Sequence, residues 1–257
     1  MSRIPELFAK QEGLLIPFLT AGFPRKEDTI ELVLKAESSG IEMIELGMPF
    51  SDPLADGPVI QAASQKALNN GVTLDWILEI VSEIRKKSNI AIVLMGYINP
   101  IQSYGLERFI SECNSSGVDG LILPDLPPEE ASEYLQLCRK FEISPILIVA
   151  PNSSNERIKK LGDWAEHLLY ATSILGVTGS KGIAENNDLQ NYLQRIKKFA
   201  GVPFIVGFGV RSSDDVKQIL DYADGAVVGS HLLEVIENSE DPIAEWCVTL
   251  KQLNVKE

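Results

Sequence analysis

Apolar, β-branched runs alternate with longer amphipathic stretches along the whole chain. The apolar runs predict eight strands, which begin about 30 residues apart, the length of one βα unit. We place these strands at residues 14–19, 41–46, 91–95, 120–123, 146–149, 168–172, 204–206 and 226–228. The repeat therefore predicts that strands and helices alternate from one end of the chain to the other.

The stretches between the predicted strands carry apolar residues at helical spacing. Ser153 and Glu156 have the spacing of a capping box ahead of one predicted helix. Another predicted helix follows Thr73, a residue type that caps helices, and its apolar stripe consists of Leu74, Ile77, Leu78, Val81 and Ile84.

Strands that alternate with helices, without a linker in the middle of the chain, favour a closed barrel over two domains. We therefore predict an α/β fold, a single (β/α)8 TIM-barrel domain over residues 1–257, with an extra N-terminal helix and extra short helices. The rival fold is an open doubly wound sheet. Its G-x-G-x-x-G fingerprint is missing, because the first strand leads into Thr20-Ala21-Gly22-Phe23-Pro24.

The composition is that of a globular protein. A chain of 257 residues with 45% hydrophobic content can bury the core of one large domain. Its longest apolar runs are strand-sized, far below the roughly 18 residues that a membrane span requires. Cys113, Cys138 and Cys247 are odd in number and far apart, which predicts reduced thiols that pack as small core residues. Since residues 1–6 carry no targeting signal, we expect a cytoplasmic protein.

The chain is strongly acidic. It has 23 Lys and Arg residues against 36 Asp and Glu residues, a net charge of −13. Such a charge repels nucleic acids and anionic membranes. Any phosphate that the protein binds is therefore expected to be held by local backbone donors.

The second predicted strand runs into a carboxylate. Side chains alternate along a strand, so Ile41, Met43 and Glu45 are expected on one face. A charge at the end of this apolar stripe is costly unless the protein uses it. The structural alternatives are a buried ion pair or a different register. Glu45 is nevertheless the leading candidate for acid–base chemistry.

Further carboxylates follow strands at the same predicted end of the barrel. Asp56 lies in the Pro- and Gly-containing loop after Glu45, near enough along the chain to return to the strand end. Asp in such a loop is also a common turn residue, and Asp52 shares this ambiguity. Asp125 follows the fourth strand and either supports the site or shapes its loop.

Glycine turns follow the last three strands. They are Gly176-Val177-Thr178-Gly179, Gly207-Phe208-Gly209-Val210 and Gly229-Ser230. Glycine lets the backbone approach a ligand, and Ser230 opens a predicted helix whose free N–H groups favour an anion. Any single turn has an ordinary structural explanation. Together they predict a phosphate site at the barrel rim.

Other chemistries lack the residues that they need. The histidines are His167 and His231, which are expected at opposite ends of the barrel, so the sequence predicts no metal site. Lys181 is the lysine nearest to a strand end, but it lies in a polar loop, which disfavours a Schiff-base mechanism. No nucleophile elbow or Cys–His pair is evident.

At this point the chain resembles a known family, the α subunit of tryptophan synthase. The likeness extends over nearly the whole sequence and is densest in residues 45–58, Glu-Leu-Gly-Met-Pro-Phe-Ser-Asp-Pro-Leu-Ala-Asp-Gly-Pro. Supporting matches are Pro17-Phe18-Leu19-Thr20, Met95-Gly96-Tyr97-Ile98-Asn99-Pro100 and the three glycine turns. The resemblance implies a lyase that cleaves indole-3-glycerol phosphate into indole and glyceraldehyde 3-phosphate.

The resemblance also implies roles for individual residues. Glu45 matches the acid–base glutamate, and Asp56 matches the aspartate that accepts the indole N–H. Tyr97 and Asp125 are candidate supporting residues. The remaining matched positions line the indole pocket, bond the aspartate or hold the phosphate: Phe18, Tyr170, Thr178, Gly179, Gly209, Gly229 and Ser230. Whether the polar run 180–188 is a lid or an ordinary surface loop stays open.

A partner follows from the same resemblance. The family's α subunit joins a β subunit in an α2β2 heterotetramer, and the cofactor, pyridoxal phosphate, belongs to the β subunit, so this chain is expected to need none. One alternative function is a catalytically weak subunit that binds the phosphate ligand mainly to activate its β partner. Another is a different phosphate-binding barrel, an isomerase or synthase, although those rely on lysine or cysteine at strand ends.

Overall fold

Eight parallel strands close into a barrel in the order in which they occur along the chain. The computed structural model describes residues 2–10, 13–172, 187–207 and 209–255. The strands are β1 (Leu14–Thr20), β2 (Met43–Gly47), β3 (Ala91–Met95), β4 (Gly120–Ile122), β5 (Ser144–Val149), β6 (Leu169–Thr172), β7 (Phe204–Gly207) and β8 (Gly225–Val228). All eight predicted strands are therefore present, and the predicted TIM barrel is confirmed.

Helices surround the strands. Within the described residues they are α1 (Ile4–Ala9), α2 (Asp28–Ser38), α3 (Pro58–Asn69), α4 (Leu74–Arg85), α5 (Ile98–Tyr104), α6 (Leu106–Ser116), α7 (Ser132–Lys140), α8 (Asn155–Ala165), α9 (Asn187–Phe199), α10 (Ser213–Leu220), α11 (Ser230–Glu237) and α12 (Pro242–Leu253). The extra N-terminal helix is α1, and α5 is one of the extra short helices. None of the helices in these residues is both long and apolar enough to cross a membrane.

The strand register determines which side chains enter the barrel. Residues that pair in parallel strands point to the same face, and Phe18 pairs with Glu45 while Thr20 pairs with Gly47. Glu45 pairs on its other side with Val93. Followed around all eight strands, the pairing places Phe18, Thr20 and Glu45 on the inner face at the carboxyl ends of their strands.

The start of β2 differs from the prediction. Ile41 was expected to open the strand, but its N–H donates to the carbonyl of Ala36 at 3.2 Å. The preceding Gly40 has a φ of +85°, which ends α2 and turns the chain back. Ile41 therefore still belongs to the end of the helix, and the strand begins at Met43. The predicted alternation holds from Met43 to Glu45.

Helix caps agree with the sequence at one predicted position and differ at another. The Thr73 side chain accepts a hydrogen bond from the N–H of Trp76 at 3.2 Å, so it caps α4 as predicted. The capping box expected from Ser153 is wrong, because Ser154 is the N-cap of α8 and its hydroxyl accepts the N–H of Arg157. A true capping box joins Ser212 and Asp215 at the start of α10.

The amino ends of the strands are closed by a buried ionic cluster and by α1. The Asp119 carboxylate accepts hydrogen bonds from the Arg3 backbone N–H, the guanidinium groups of Arg3 and Arg85, and the Ile92 N–H, at 2.7 to 3.0 Å. A Cβ on Gly120 would lie 2.9 Å from Ile4 of α1. The helix thus packs against the bottom of the barrel, and ligands must approach from the carboxyl end.

Candidate active site

Glu45 projects into the barrel near the carboxyl end of β2. The residue is 0% exposed, and neither oxygen of its carboxyl group has a hydrogen-bond partner among the described residues. The ion pair considered from the sequence is therefore not found there. Burial raises the pKa of Glu45 to about 8. At neutral pH the side chain is mostly protonated, so it can donate a proton first and accept one afterwards.

Asp56 lies in the loop between β2 and α3. Its backbone N–H donates to the carbonyl of Pro53 at 3.1 Å, and its carbonyl accepts the side-chain amide of Gln61 at 2.8 Å. These turn contacts use the backbone of Asp56. Burial raises the pKa of its carboxyl group, and a hydrogen bond with the Tyr97 hydroxyl lowers it. Asp52, by contrast, is exposed and accepts the neighbouring Ser51 hydroxyl at 2.6 Å.

Tyr97 is the residue that supports this loop. Its hydroxyl accepts the N–H of Ala55 at 3.0 Å, one residue before Asp56. Its ring packs against Phe50, with the ring centroids 5.4 Å apart. The pKa of the Tyr97 hydroxyl is raised, mainly by burial and secondly by the charge of Asp56. The hydroxyl therefore stays protonated and able to donate a hydrogen bond.

Asp125 holds the backbone next to Tyr97. Its carboxylate accepts the N–H of Ile98 at 3.0 and 3.2 Å, which holds the start of α5 and therefore the residue before it, Tyr97. The carboxylate thus contacts the neighbouring loop, the one that carries Tyr97. The loops after β2, β3 and β4 are thus joined in series by Ala55, Tyr97, Ile98 and Asp125.

Two aromatic rings cross glycines inside the barrel. A Cβ on Gly47 would lie 2.5 Å from the ring of Phe18, and a Cβ on Gly207 would lie 1.8 Å from the Tyr170 hydroxyl oxygen. Any side chain at either glycine would displace the ring. Tyr170 is buried, and this burial is the main cause of the raised pKa of its hydroxyl; the nearby charges of Glu45 and Asp56 raise the pKa further. Glu45, Asp56 and Tyr170 therefore share one region of the barrel.

The loops after β7 and β8 provide space and backbone donors. Gly209 has a φ of +59°, and among the described residues beyond its chain neighbours no atom lies within 4 Å of the position that a Cβ would occupy. Gly229 is the N-cap of α11, and glycine has no side chain that could accept the first N–H groups of the helix. The N–H groups of the first turn, beginning with Ser230, therefore have no intrahelical acceptors and remain available to a ligand. Burial lowers the pKa of His231 in this turn, which keeps its ring neutral at pH 7.

The turn after β6 lies outside the described residues. It includes Gly176, Thr178 and Gly179, as well as Lys181 and most of the polar run that follows. Among the described residues, no group of three or more His, Cys, Asp or Glu side chains could hold a metal ion. His167 lies at the amino end of β6, where its Nδ1 is 3.1 Å from the Ser144 hydroxyl.

Thr20 is an inward-facing residue that was not predicted as part of the site. It is 1% exposed, and its hydroxyl has no hydrogen-bond partner among the described residues. A polar residue that ends an apolar strand was the signal that pointed to Glu45, and the same signal marks Thr20. The packing of Phe18 against Gly47 and of Tyr170 against Gly207 was also not predicted, because each ring comes from a different strand than the glycine.

A barrel with a protonated inward carboxyl group and a helix N-terminus without a side-chain cap on one rim has the layout of TIM-barrel enzymes that act on phosphorylated substrates. Comparison with known proteins agrees, since the profile of the tryptophan synthase alpha chain family matches residues 4–256. The tryptophan synthase alpha chain of Petrotoga mobilis is 47% identical over 242 residues, which cover 94% of this chain and 93% of the relative. This chain belongs to the tryptophan synthase alpha chain family.

Solved structures give the same result. The alpha subunit of tryptophan synthase from Legionella pneumophila superposes with a TM-score of 0.90 at 34% identity, covering 98% of this chain and 97% of the other. A chain from a structure of the tryptophan synthase α2β2 complex of Pyrococcus furiosus superposes with a TM-score of 0.86 at 36% identity, covering 94% and 98%.

Proposed function

We propose that this chain is a carbon–carbon lyase of tryptophan biosynthesis that cleaves indole-3-glycerol phosphate into indole and glyceraldehyde 3-phosphate by a retro-aldol reaction. The observation that carries the proposal is the fully buried, inward-facing Glu45, whose pKa of about 8 keeps a proton available at neutral pH. Membership of the tryptophan synthase alpha chain family supports the same reaction.

In the first step, the protonated Glu45 donates its proton to C3 of the indole ring. The ring thereby becomes a cationic indolenine, and Glu45 becomes a carboxylate. The barrel interior disfavours that buried charge, so the carboxylate is a strong base for the next step. Asp56 accepts the indole N–H and, when ionised, stabilises the positive charge that develops on the ring.

In the second step, the Glu45 carboxylate removes the proton from the hydroxyl of the carbon attached to C3. The oxygen's electron pair forms the aldehyde carbonyl, and the carbon–carbon bond breaks. The electrons of that bond return to the ring and neutralise it. Glu45 ends the cycle protonated, as it began, so the reaction is balanced without any external acid or cofactor.

The other site residues position the substrate. Phe18 and Tyr170 form apolar walls for the indole ring beside Glu45. The phosphate binds to backbone N–H groups in the loops after β7 and β8, at Gly209, Gly229 and Ser230, a site that needs no basic side chain. We propose that Thr178 and Gly179 complete the site by holding Asp56 and the phosphate, as the family resemblance implies.

We also propose that the chain works as one domain, residues 1–257, with a β subunit in an α2β2 assembly. Its relative from Pyrococcus furiosus forms such a complex. The loop that carries Asp56 also carries Leu54, a large apolar side chain that is 93% exposed, which suits a partner surface at the barrel mouth. Pyridoxal phosphate would belong to the β subunit, and the assembly would work in the cytoplasm.

A direct test measures indole release from indole-3-glycerol phosphate by the isolated chain and by the chain with its β subunit. We expect slow release by the chain alone and faster release in the complex. Glu45→Gln should reduce kcat about 10⁴-fold, the upper end of what one acid–base group contributes, because Glu45 serves in both steps. Glu42→Gln is the matched control, since Glu42 pairs with Lys10 at the surface.

The same assay separates the alternative function. A subunit that mainly activates its partner would stimulate the β reaction when it binds a phosphate ligand, and Glu45→Gln would leave that stimulation and the low indole release unchanged. Substantial indole release by Glu45→Gln would remove Glu45 from the mechanism. Absence of release by the wild-type complex would reject the lyase proposal.

A further inference from the structure

Thr20 and Glu45 are the two residues of the described chain whose buried side-chain polar atoms all lack a hydrogen-bond partner. A buried hydroxyl left unpaired is costly, and because such groups are rare in folded proteins, each one calls for an explanation. The mechanism uses the Glu45 carboxyl group. It leaves the Thr20 hydroxyl without a role.

The strand order places Thr20 between the two ends of the proposed site. Its strand, β1, pairs with β2, which carries Glu45, and with β8, which leads to Gly229 and the N-terminus of α11. A substrate that reaches from Glu45 to the helix N-terminus must cross the end of β1. The inward side chains there are Phe18 and, one step nearer the rim, Thr20.

The substrate offers a matching group at that point. Between the carbon that reacts and the carbon that carries the phosphate lies one more carbon with a hydroxyl, and the proposed reaction leaves this hydroxyl unchanged. We propose that the Thr20 hydroxyl binds this middle hydroxyl of the glycerol chain, an inference that rests on the proposed function. Thr20 is thus a substrate-binding residue selective for glycerol phosphates over phosphates that lack the middle hydroxyl.

The proposal predicts opposite effects of one substitution on stability and on binding. Thr20→Val keeps the branched shape and removes the unpaired hydroxyl. The unliganded chain should become more stable, with a melting temperature raised by about 2–4 °C. Binding of a glycerol phosphate should weaken, because the hydrogen bond to the middle hydroxyl is lost. A residue that only packed the strand end would not couple these two effects.

Isothermal titration of the full chain with two probes tests this selectivity. The probes are glycerol 3-phosphate and 3-hydroxypropyl phosphate, which differ only in the middle hydroxyl. The wild type should prefer glycerol 3-phosphate by about three- to tenfold, the value of one neutral hydrogen bond. Thr20→Val should bind both equally, whereas Thr20→Ser should keep the preference because it keeps the hydroxyl.

Each outcome is decisive. If the wild type and Thr20→Val prefer glycerol 3-phosphate to the same degree, the role of Thr20 is overturned. The same holds if the melting temperature of Thr20→Val does not rise. Either result leaves the lyase proposal intact. Failure of the wild type to bind either phosphate would overturn the phosphate site and the Thr20 proposal together. Indole release by the wild type, measured separately, distinguishes that case from loss of the lyase function.

Discussion

The Tyr97 hydroxyl accepts the N–H of Ala55 at 3.0 Å and also bonds the carboxyl group of Asp56. One phenol therefore holds both the backbone and the titrating group of the loop after β2. Asp125 fixes the other side of this arrangement, because its carboxylate holds the N–H of Ile98, the residue after Tyr97. The position of Asp56 thus depends on two loops that are distant from it in sequence.

Tyr97→Phe should shift the acidic limb of the pH profile of kcat/KM to higher pH. The hydroxyl lowers the pKa of Asp56, so its loss raises that pKa and leaves less of the carboxylate ionised at a given pH. Indole release measured across the acidic range checks this prediction. Tyr104→Phe is the control, because the Tyr104 hydroxyl bonds the exposed Asp75 at 2.7 Å on the outer helices. An unchanged acidic limb in Tyr97→Phe would contradict the assignment.

Asp56→Asn should lower kcat about 10²-fold, the typical cost of losing one group that stabilises developing charge. The amide can still accept the indole N–H but carries no negative charge, so the effect should fall on kcat more than on KM. The loss should remain smaller than that of Glu45→Gln, because Asp56 transfers no proton in the proposed steps. Steady-state kinetics of the isolated chain test the order, with Asp52→Asn in the same loop as control. A larger loss in Asp56→Asn would reverse the two roles.

Glu45→Gln should become more stable than the wild type as the pH rises. The pKa of Glu45 is about 8 in the folded protein, above its ordinary value of 4.5, so between these pH values the folded state binds more protons than the unfolded state. The free energy of unfolding of the wild type therefore falls across this window and levels off above it. The advantage of the glutamine should reach at most about 5 kcal/mol above pH 8.

Urea denaturation at about pH 5 and about pH 9 measures this advantage. The two proteins should differ little in stability at the lower pH, because it lies close to 4.5, the ordinary pKa that applies to the unfolded state, so little of the difference has built up there. Glu42→Gln should show no comparable pH dependence, since Glu42 forms a partly exposed pair with Lys10. A constant difference between Glu45→Gln and the wild type would show that the carboxyl group does not titrate in this window.

The inward position of Glu45 was predictable because strand alternation is a local property. Three residues, from Met43 to Glu45, decide the face, and the closure of the barrel only confirms it. The start of the strand was not predictable in the same way. Ile41 is apolar and β-branched, but the hydrogen bond from its N–H to Ala36 belongs to the preceding helix. Competition between a helix end and a strand start leaves no pattern in the side chains.

Contacts between segments that are distant in sequence could not be predicted either. The motif around Tyr97 is recognisable, but nothing in it shows that the phenol bonds Ala55, 42 residues away. Gly207 likewise looks like a loop glycine, and only the packing shows that the Tyr170 hydroxyl occupies the place of its side chain. Such relationships depend on how the strands close around the core, whereas propensity and periodicity describe one segment at a time.

Asp119→Asn should destabilise the protein by about 3–5 kcal/mol, the cost of breaking a buried ion pair. Asp119 lies 116 residues from Arg3 in sequence, and its carboxylate pairs with both Arg3 and the mostly buried Arg85, at 3.0 and 2.7 Å. Burial lowers the pKa of Arg85 to about 10, and the charge of Asp119 opposes this effect. In Asp119→Asn, the buried guanidinium of Arg85 would lose the negative charge that stabilises it most. Urea denaturation checks the loss.

Glu237→Gln provides the comparison for Asp119→Asn, because Glu237 forms an exposed pair with Lys66 and should contribute less than about 1 kcal/mol. The cluster lies at the amino ends of the strands, opposite the proposed site. Folded Asp119→Asn should therefore keep the pH profile of indole release while unfolding at lower urea concentration. Equal stability of Asp119→Asn and Glu237→Gln would mean that the bottom of the barrel is held by packing of α1 and not by the buried charges.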